Sequence, residues 1–410
     1  MLPHDPGAGT EAAGMHDVTR RGVVGGSTQP TGLSYVLDGR ADSNHEAGPA
    51  SNHEAGPALI PPPANEETMS NWRRIGVAVC CVAGAGLWAF TGLAGVSAAA
   101  PAPAAGATPL IIDTDAFSDA DDAGALAVAN VLQDQGAVRL LGVMVDTPSR
   151  WGAPAVQAIN TYYHHENVPV GALQPVDDST APKNWAEPVA KDFPNTLQDG
   201  ANAPEAVGLY RKLLAAQPDH SVVIAAIGLE TGLANLLGSP ADATSPLTGR
   251  QLVAAKVKEL VMMGGQFPKG AESNFTNDPA AAVQAAGDWP TPVVFDGYEI
   301  GAPILTGSAL TDAPAADPVR EAYQIFAGAG NDTGSWDLTA ALVAGTGTGK
   351  LFTLSGAGHI TVAPDGSNTW ASTPTGNQHY LVAAAPAGTV ADRLQSLLTQ
   401  NPTAATDSRS

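Results

Sequence analysis

The chain has 410 residues, 44% of them hydrophobic and only 14% charged, with 19 Lys and Arg against 40 Asp and Glu for a formal net charge of −21. Such a charge excludes the basic surface on which binding to nucleic acids and anionic membranes depends. The only cysteines are the adjacent pair Cys80 and Cys81, so the rest of the chain has no disulfide, no thiolate nucleophile and no Cys-ligated metal.

Residues 1–68 carry little aliphatic content and are expected to be disordered. Their tandem repeat, SNHEAGPA at 43–50 and again at 51–58, is too short for a solenoid and reads as low complexity. Ile75–Val96 is a run of 22 uncharged residues behind Arg73 and Arg74, followed by SAAAPAPAAGA. A basic start, an apolar core and an A-x-A-like exit form a secretory signal; if retained, a segment of this length anchors a protein in a bilayer. Met69 just before it is an alternative start that would make 1–68 an over-extended N-terminus. The expected organisation is thus 1–68 disordered, 69–104 signal peptide or anchor plus linker, 105–400 one folded domain and 401–410 a disordered tail. The folded part is expected to be secreted, free of the membrane once the signal is cleaved, or anchored if 75–96 stays.

From 105 onward, apolar β-rich runs alternate with Ala-rich amphipathic ones. PLIIDTD (109–115) predicts a strand and DDAGALAVANVLQDQG (121–136) a helix stopped by Gly136. VRLLGVMVD (138–146) is a second strand and APAVQAINTYYHHE (153–166) a second helix. SVVIAAIG (221–228) is a buried strand followed by the helix-like TGLANLLGS; VKELVMMGG (257–265) and TPVVFDG (291–297) continue the series. HITVAP, DGSNTW and HYLVAAAP predict strands and turns, and VADRLQSLL a last helix. Continuous apolar strands separated by helices indicate an α/β fold, a mainly parallel, Rossmann-like open sheet with helices on both faces. Ligands in such folds bind beyond the carboxyl ends of the strands, where Asp113–Asp122, Asp146, Gly228–Thr231 and Gly264–Gly265 all fall.

Residues 113–122 read D-T-D-A-F-S-D-A-D-D, five carboxylates in ten residues. At ~4 Å and an effective dielectric of ~20, each like-charged pair repels by about 4 kcal/mol, so protons or a cation must offset the charge. Residues 105–410 as a whole hold 14 Lys and Arg against 31 Asp and Glu, a net of −17. Hard Ca²⁺, with its roughly 6–8 oxygen ligands, suits these donors, whereas Zn²⁺ would want Cys or His. A solvated helix N-terminus, a structural calcium loop, and a phosphotransferase loop with Asp113 as nucleophile and Asp115 as acid are the other readings open to this run.

The segment IIDTD…DADDAGAL is similar to the N-terminal D-x-D-x-x-x-D-D signature of the inosine–uridine nucleoside hydrolases, with extra spacing before the paired acids. AIGLETGLANLL (226–237) is similar to their G-P-L-T-N-L-A turn, VMMGGQFPKGAESNFTNDPAAA (261–282) to their M-G-G…E-F-N…D-P-x-A-A block, and SWDLTAALVA (335–344) to their late Asp-bearing segment. The resemblance implies the nucleoside hydrolase fold and a catalytic domain that cuts the bond between a ribose and its base. It implies metal binding by Asp115, Asp122, the Thr231 carbonyl and Asp337, with the 2′- and 3′-hydroxyls of a small nucleoside and a water completing the shell. Asp115 would serve as general base and Asp121 would accept a ribose hydroxyl. Asp113 and Asp119 would orient the others, while Asp146, Glu272 and Asn274 would grip the sugar. The likeness also favours a homo-oligomer, a dimer or tetramer.

Several departures mark this chain. Trp336 stands where members place a leaving-group His, so it either stacks on the base or is core. Asp146 stands where an Asn is usual, and Gly232 replaces the Asn of L-T-N. Gln266 and Lys269 sit where a substrate-gripping Asn is expected. His164 and His165 on the second helix are either a base-binding pair or a solvated helix end, and Trp151 either lines the pocket or packs in the core. The altered base side also admits a hydrolase of another glycosylated substrate, or a nucleoside- or ribose-binding protein without catalysis.

Overall fold

In the computed structural model, which describes residues 106–116, 119–177 and 185–403, the apolar runs form β1 (Thr108–Thr114), β2 (Val138–Val145), β3 (Val170–Ala172), β4 (Val222–Ala226), β5 (Val257–Met263), β6 (Lys269–Ala271) and β7 (Val293–Asp296). A short pair, β8 (Leu305–Thr306) and β9 (Thr333–Gly334), precedes β10 (Phe352–Leu354), β11 (Gly358–Val362), β12 (Ser367–Ser372) and β13 (Gln378–Ala383). The helices between them are α1 (Asp121–Asp134), α2 (Gly152–Tyr162), α3 (Ala186–Asp192), α4 (Ala206–Ala215), α5 (Thr231–Gly238) and α6 (Gly249–Lys256). They continue with α7 (Ser273–Asn277), α8 (Pro279–Asp288), α9 (Tyr298–Gly301), α10 (Pro318–Phe326), α11 (Trp336–Thr346) and α12 (Ala387–Leu398). These residues belong to one packing unit, Leu93–Ser410. The expectations for 1–105, the apolar segment included, and for the tail beyond 403 concern residues outside those described. Among the described residues no helix is long and apolar enough to cross a membrane.

The main sheet runs β3-β2-β1-β4-β5-β7-β13-β11-β12-β6, with β10 beside β13. From β3 through β13 all pairings are parallel; β10, β11, β12 and β6, at the other end of the sheet, pair antiparallel. The mainly parallel α/β sheet expected from the sequence is therefore present. The chain lays β1, β2 and β3 outward in one direction and then returns to place β4 on the other side of β1. Such a reversal splays the connections apart and leaves a crevice beyond the ends of β1 and β4.

Strand alternation divides the buried residues into two cores, one on each sheet face. Leu110 and Ile112 of β1 join a core with α1, α2, α11 and α12. Ile111 joins another with α4, α5, α6 and α8. Both faces being covered, the strands read as unbroken apolar runs rather than alternating ones. On the first face, Asn130 of α1 donates to Asn160 of α2 at 2.9 Å, and His165 is hydrogen-bonded to Asn130 at 2.7 Å and paired with Asp134 at 3.1 Å. His165 is thereby committed to joining α1 to α2. Trp151 packs against the same core, with the Lys191 ammonium 4.8 Å from its ring centre.

Gly124 lets α1 approach α10 and α11. A Cβ there would lie 2.4 Å from the Tyr323 hydroxyl and 2.7 Å from Leu338 Cδ1. Crowding of this kind costs about 1–3 kcal/mol, whereas alanine returns about 1 kcal/mol of helix propensity. Gly124→Ala is expected to lower the urea midpoint with an unchanged slope; an equal or higher midpoint would show that the helices can part at no cost.

Candidate active site

Four strand ends and one helix start build the site. β1 ends at Thr114 with the acidic loop directly behind it. β2 delivers Asp146, whose N–H donates to the Thr114 carbonyl at 3.0 Å. β4 runs into the turn Gly228–Thr231, β5 into Gly264–Gly265, and α11 brings Asp337 from the far end of the chain. Trp185, wholly buried, donates its indole N–H to the Asp119 carbonyl at 2.8 Å and so fixes the acidic loop from α3.

Asp115, Asp121, Asp122 and Asp337 form one electrostatic group. All are buried, and all have pKa values raised first by desolvation and then by one another and Asp119, that of Asp115 to about 7. Asp121 Oδ2 accepts the N–H groups of Trp336 and Asp337, both at 3.1 Å. That carboxylate therefore caps α11 and holds Asp337 in place, a role beyond the ribose contact expected of it. Asp122 Oδ1 accepts the Thr114 hydroxyl and, at 3.2 Å, the Ala116 N–H. Its other oxygen, Oδ2, is buried with no hydrogen-bond partner.

Beneath this group lies a carboxyl pair. Asp113 Oδ2 accepts the Tyr210 hydroxyl at 2.6 Å, and the Asp146 carboxyl is its neighbour in the same buried pocket. Two buried carboxyls so close are stable together only where a proton or a cation offsets their charge. Burial raises both, Asp113 to about 6 and Asp146, which Asp113 also repels, well above the usual carboxylate range. Asp146 Oδ2 accepts the Leu229 N–H at 2.7 Å. Gly232 has no room for the side chain it replaces, since a Cβ would lie 2.6 Å from Asp113 Oδ2.

Thr231 opens α5 and donates its hydroxyl to Asp278 at 2.6 Å. Glu272 caps α7: Oε1 accepts Asn274 N–H at 2.8 Å, and Oε2 accepts Gly265 N–H at 3.1 Å and Phe275 N–H at 3.4 Å. Burial still lifts its pKa to about 7. Asn274 spends its amide N–H on the Met263 carbonyl at 3.1 Å. Both residues brace the loop after β5. Trp336 stacks on Tyr298 with centroids 5.5 Å apart and donates its indole N–H to the Tyr298 carbonyl at 2.8 Å. It is half-buried, and Tyr298 is the exposed member of the stack.

Sequence reasoning missed Tyr210, Trp185, Glu230 and Asp296. The first two act through single hydrogen bonds across distant helices, which no local pattern announces. Asp296 ends β7, buried, and accepts the Thr339 hydroxyl at 2.5 Å. Its position at a strand end was the available clue. Glu230 was visible as an acid inside the turn before Thr231.

Comparison with solved structures shows the same fold. Against an inosine-guanosine nucleoside hydrolase the TM-score is 0.54 at 18% identity, over 72% of this chain and 100% of that one. A plant nucleoside hydrolase gives 0.52 at 17%, over 72% and 99%. The type III effector protein XopQ, in complex with adenosine diphosphate ribose, gives 0.54 at 16%, over 72% and 95%. No curated protein matches the chain. The inosine-uridine preferring nucleoside hydrolase family model matches residues 110–373, a span that holds every acid described above. The chain therefore belongs to the inosine-uridine preferring nucleoside hydrolase family and is a hydrolase of N-glycosyl bonds acting on small nucleosides.

Proposed function

We propose that the protein is a secreted, calcium-dependent ribonucleoside hydrolase in which Asp115, Asp122, Asp337 and the Thr231 carbonyl hold the cation. The observation that carries this reading is Asp122 Oδ2, a carboxylate oxygen buried without a partner among acids that raise one another's pKa. An uncompensated buried charge is costly, and a cation is the group that would remove the cost. The family is generally metal-dependent, and the donors are hard oxygens, which suit Ca²⁺ better than a softer ion. Among the described residues no three His, Cys, Asp or Glu side chains form a ready cage, so the fit is one of donor chemistry. Export is supported by the signal-like 69–104.

When bound, the cation supplies a more acidic water and a template for a vicinal diol. Asp115 takes the proton from the attacking water, whose oxygen forms the new bond to C1′. The N-glycosidic bond breaks with its electrons passing to the base, which takes a proton from solvent water while Asp115 releases its own to solvent, through an oxocarbenium-like transition state. Asp121 keeps Asp337 in position, while its second oxygen is available to a ribose hydroxyl. Glu272 and Asn274 brace the opposite wall. Trp336 packs under Tyr298, which leaves the exposed Tyr298 ring at the edge of the site where a base can stack.

Purified protein incubated with inosine, uridine, adenosine and cytidine is expected to release ribose, to stop in chelator and to resume with Ca²⁺. Asp115→Asn should reduce turnover by at least about 10²-fold, the scale of a lost general base, while nucleoside still binds. Ribose release that persists in chelator would rule out the cation role, and binding without turnover in the native protein would favour a nucleoside- or ribose-binding function.

The acids also set a pH dependence. Asp113, Asp115 and Glu272 have folded-state pKa values of about 6, 7 and 7 against ordinary values of 3.8, 3.8 and 4.5. Between those limits the cation-free folded protein binds more protons than the unfolded chain, so its stability falls as pH rises. A cation competes with those protons and is held more tightly at high pH. Thermal melts in chelator should therefore give a lower Tm at pH 8 than at pH 5, and added Ca²⁺ should raise Tm more at pH 8. Equal Ca²⁺ gains at both pH values would separate the cation from these carboxylates.

A further inference from the structure

Glu230 has no part in the chemistry above. It precedes Thr231, adopts the left-handed conformation at φ 49, is completely buried, and has no hydrogen-bond partner for Oε1 or Oε2. The groups acting on it most strongly after its burial are Glu272, Asp113, Asp278 and Asp115, all acids of the crevice, with no cation among them. Its carboxylate therefore faces the same crevice as the acidic loop. In the G-P-L-T-N turn that this segment resembles, the matching position is apolar, so the fold itself does not call for an acid there. A buried carboxylate without donors costs several kcal/mol unless a proton or a positive partner compensates it.

Resting on the cation-dependent reading above, we propose that Glu230 is a further ligand of the same divalent cation, adding a carboxylate oxygen beside the Thr231 carbonyl. It leaves neither Glu230 nor Asp122 Oδ2 without a partner once the cation is in place. It also adds a fourth carboxylate to Asp115, Asp122 and Asp337. A higher count of charged oxygens raises affinity, and a larger shell favours Ca²⁺ over the stricter, smaller Mg²⁺.

The test is calcium titration by calorimetry on the full chain, alongside Tm with chelator and with Ca²⁺. The variants are Glu230→Gln, which keeps the shape, Glu230→Leu, which restores an apolar residue, and Asp122→Asn as a reference. The expected result is Ca²⁺ affinity at least about tenfold weaker in both Glu230 variants, with a smaller Ca²⁺-induced rise in Tm. Unchanged affinity in folded Glu230→Gln, with Asp122→Asn weakened, would overturn the proposal and leave the cation reading standing. A Glu230→Leu protein that melts higher in chelator and binds Ca²⁺ as tightly as the parent would also overturn it, marking Glu230 as a buried neutral acid. Absence of Ca²⁺ binding in the parent would instead overturn the underlying cation reading, and this role with it.

Discussion

Mutual repulsion among carboxylates buried beyond β1, β4 and β5 is the constraint to which the rest of the structure answers. Each of these acids is desolvated, and each is pushed toward its neutral form by its neighbours. The protein meets that cost with hydrogen bonds where donors can reach. Tyr210 crosses from α4 to Asp113, the N–H groups opening α11 converge on Asp121, and three backbone N–H groups converge on Glu272. Each such bond also ties together segments far apart in sequence. Asp121 and Asp337, 216 positions apart, become one rigid unit because a helix N-terminus accepts negative charge.

The sheet positions these groups by topology rather than by local sequence. The chain reverses its direction of strand addition at β1, and the loops after β1 and β4 part at that point. Everything that holds the acids in register is packing on either side: Leu110 and Ile112 toward one set of helices, Ile111 toward the other. The crevice is stiff because both faces of the strands beneath it are closed.

This explains what could be read from the sequence and what could not. The apolar runs at 109–112, 138–145 and 221–226 announced strands because a parallel sheet buried on both faces needs no polar alternation. The acidic run announced the site because nothing else offsets five carboxylates in ten residues. Helices α4, α6, α8 and α10 went unread, since their cores are Ala-rich or short and their caps are dispersed. Thr248 and Gln251 form a reciprocal capping box for α6, which runs directly into β5 without the turn that usually marks a boundary. The roles of Glu272 and Asn274 in bracing their loop also escaped, because a side chain's bond to a backbone N–H leaves no trace in spacing. Trp336 shows the limit from the other side: its identity was clear, but whether its ring stacked on a base or packed against the protein depended on Tyr298, 38 positions away.

The substitutions around the site share a direction. Where the family pattern has an Asn after the second strand, this chain has Asp146, buried beside Asp113 and with its pKa raised by burial and by that neighbour. Where the pattern has an Asn after the Thr of the turn, Gly232 yields its space to the same Asp113 carboxylate. Where it has an apolar residue before that Thr, Glu230 stands buried. Two amides have gone and two acids have come, all within reach of Asp113. Amides are neutral at every pH and need no partner charge, whereas these acids need a proton or a cation to stay buried. The exchange makes the order of this crevice depend on what offsets the added charge, a proton or, on the function proposed above, a cation.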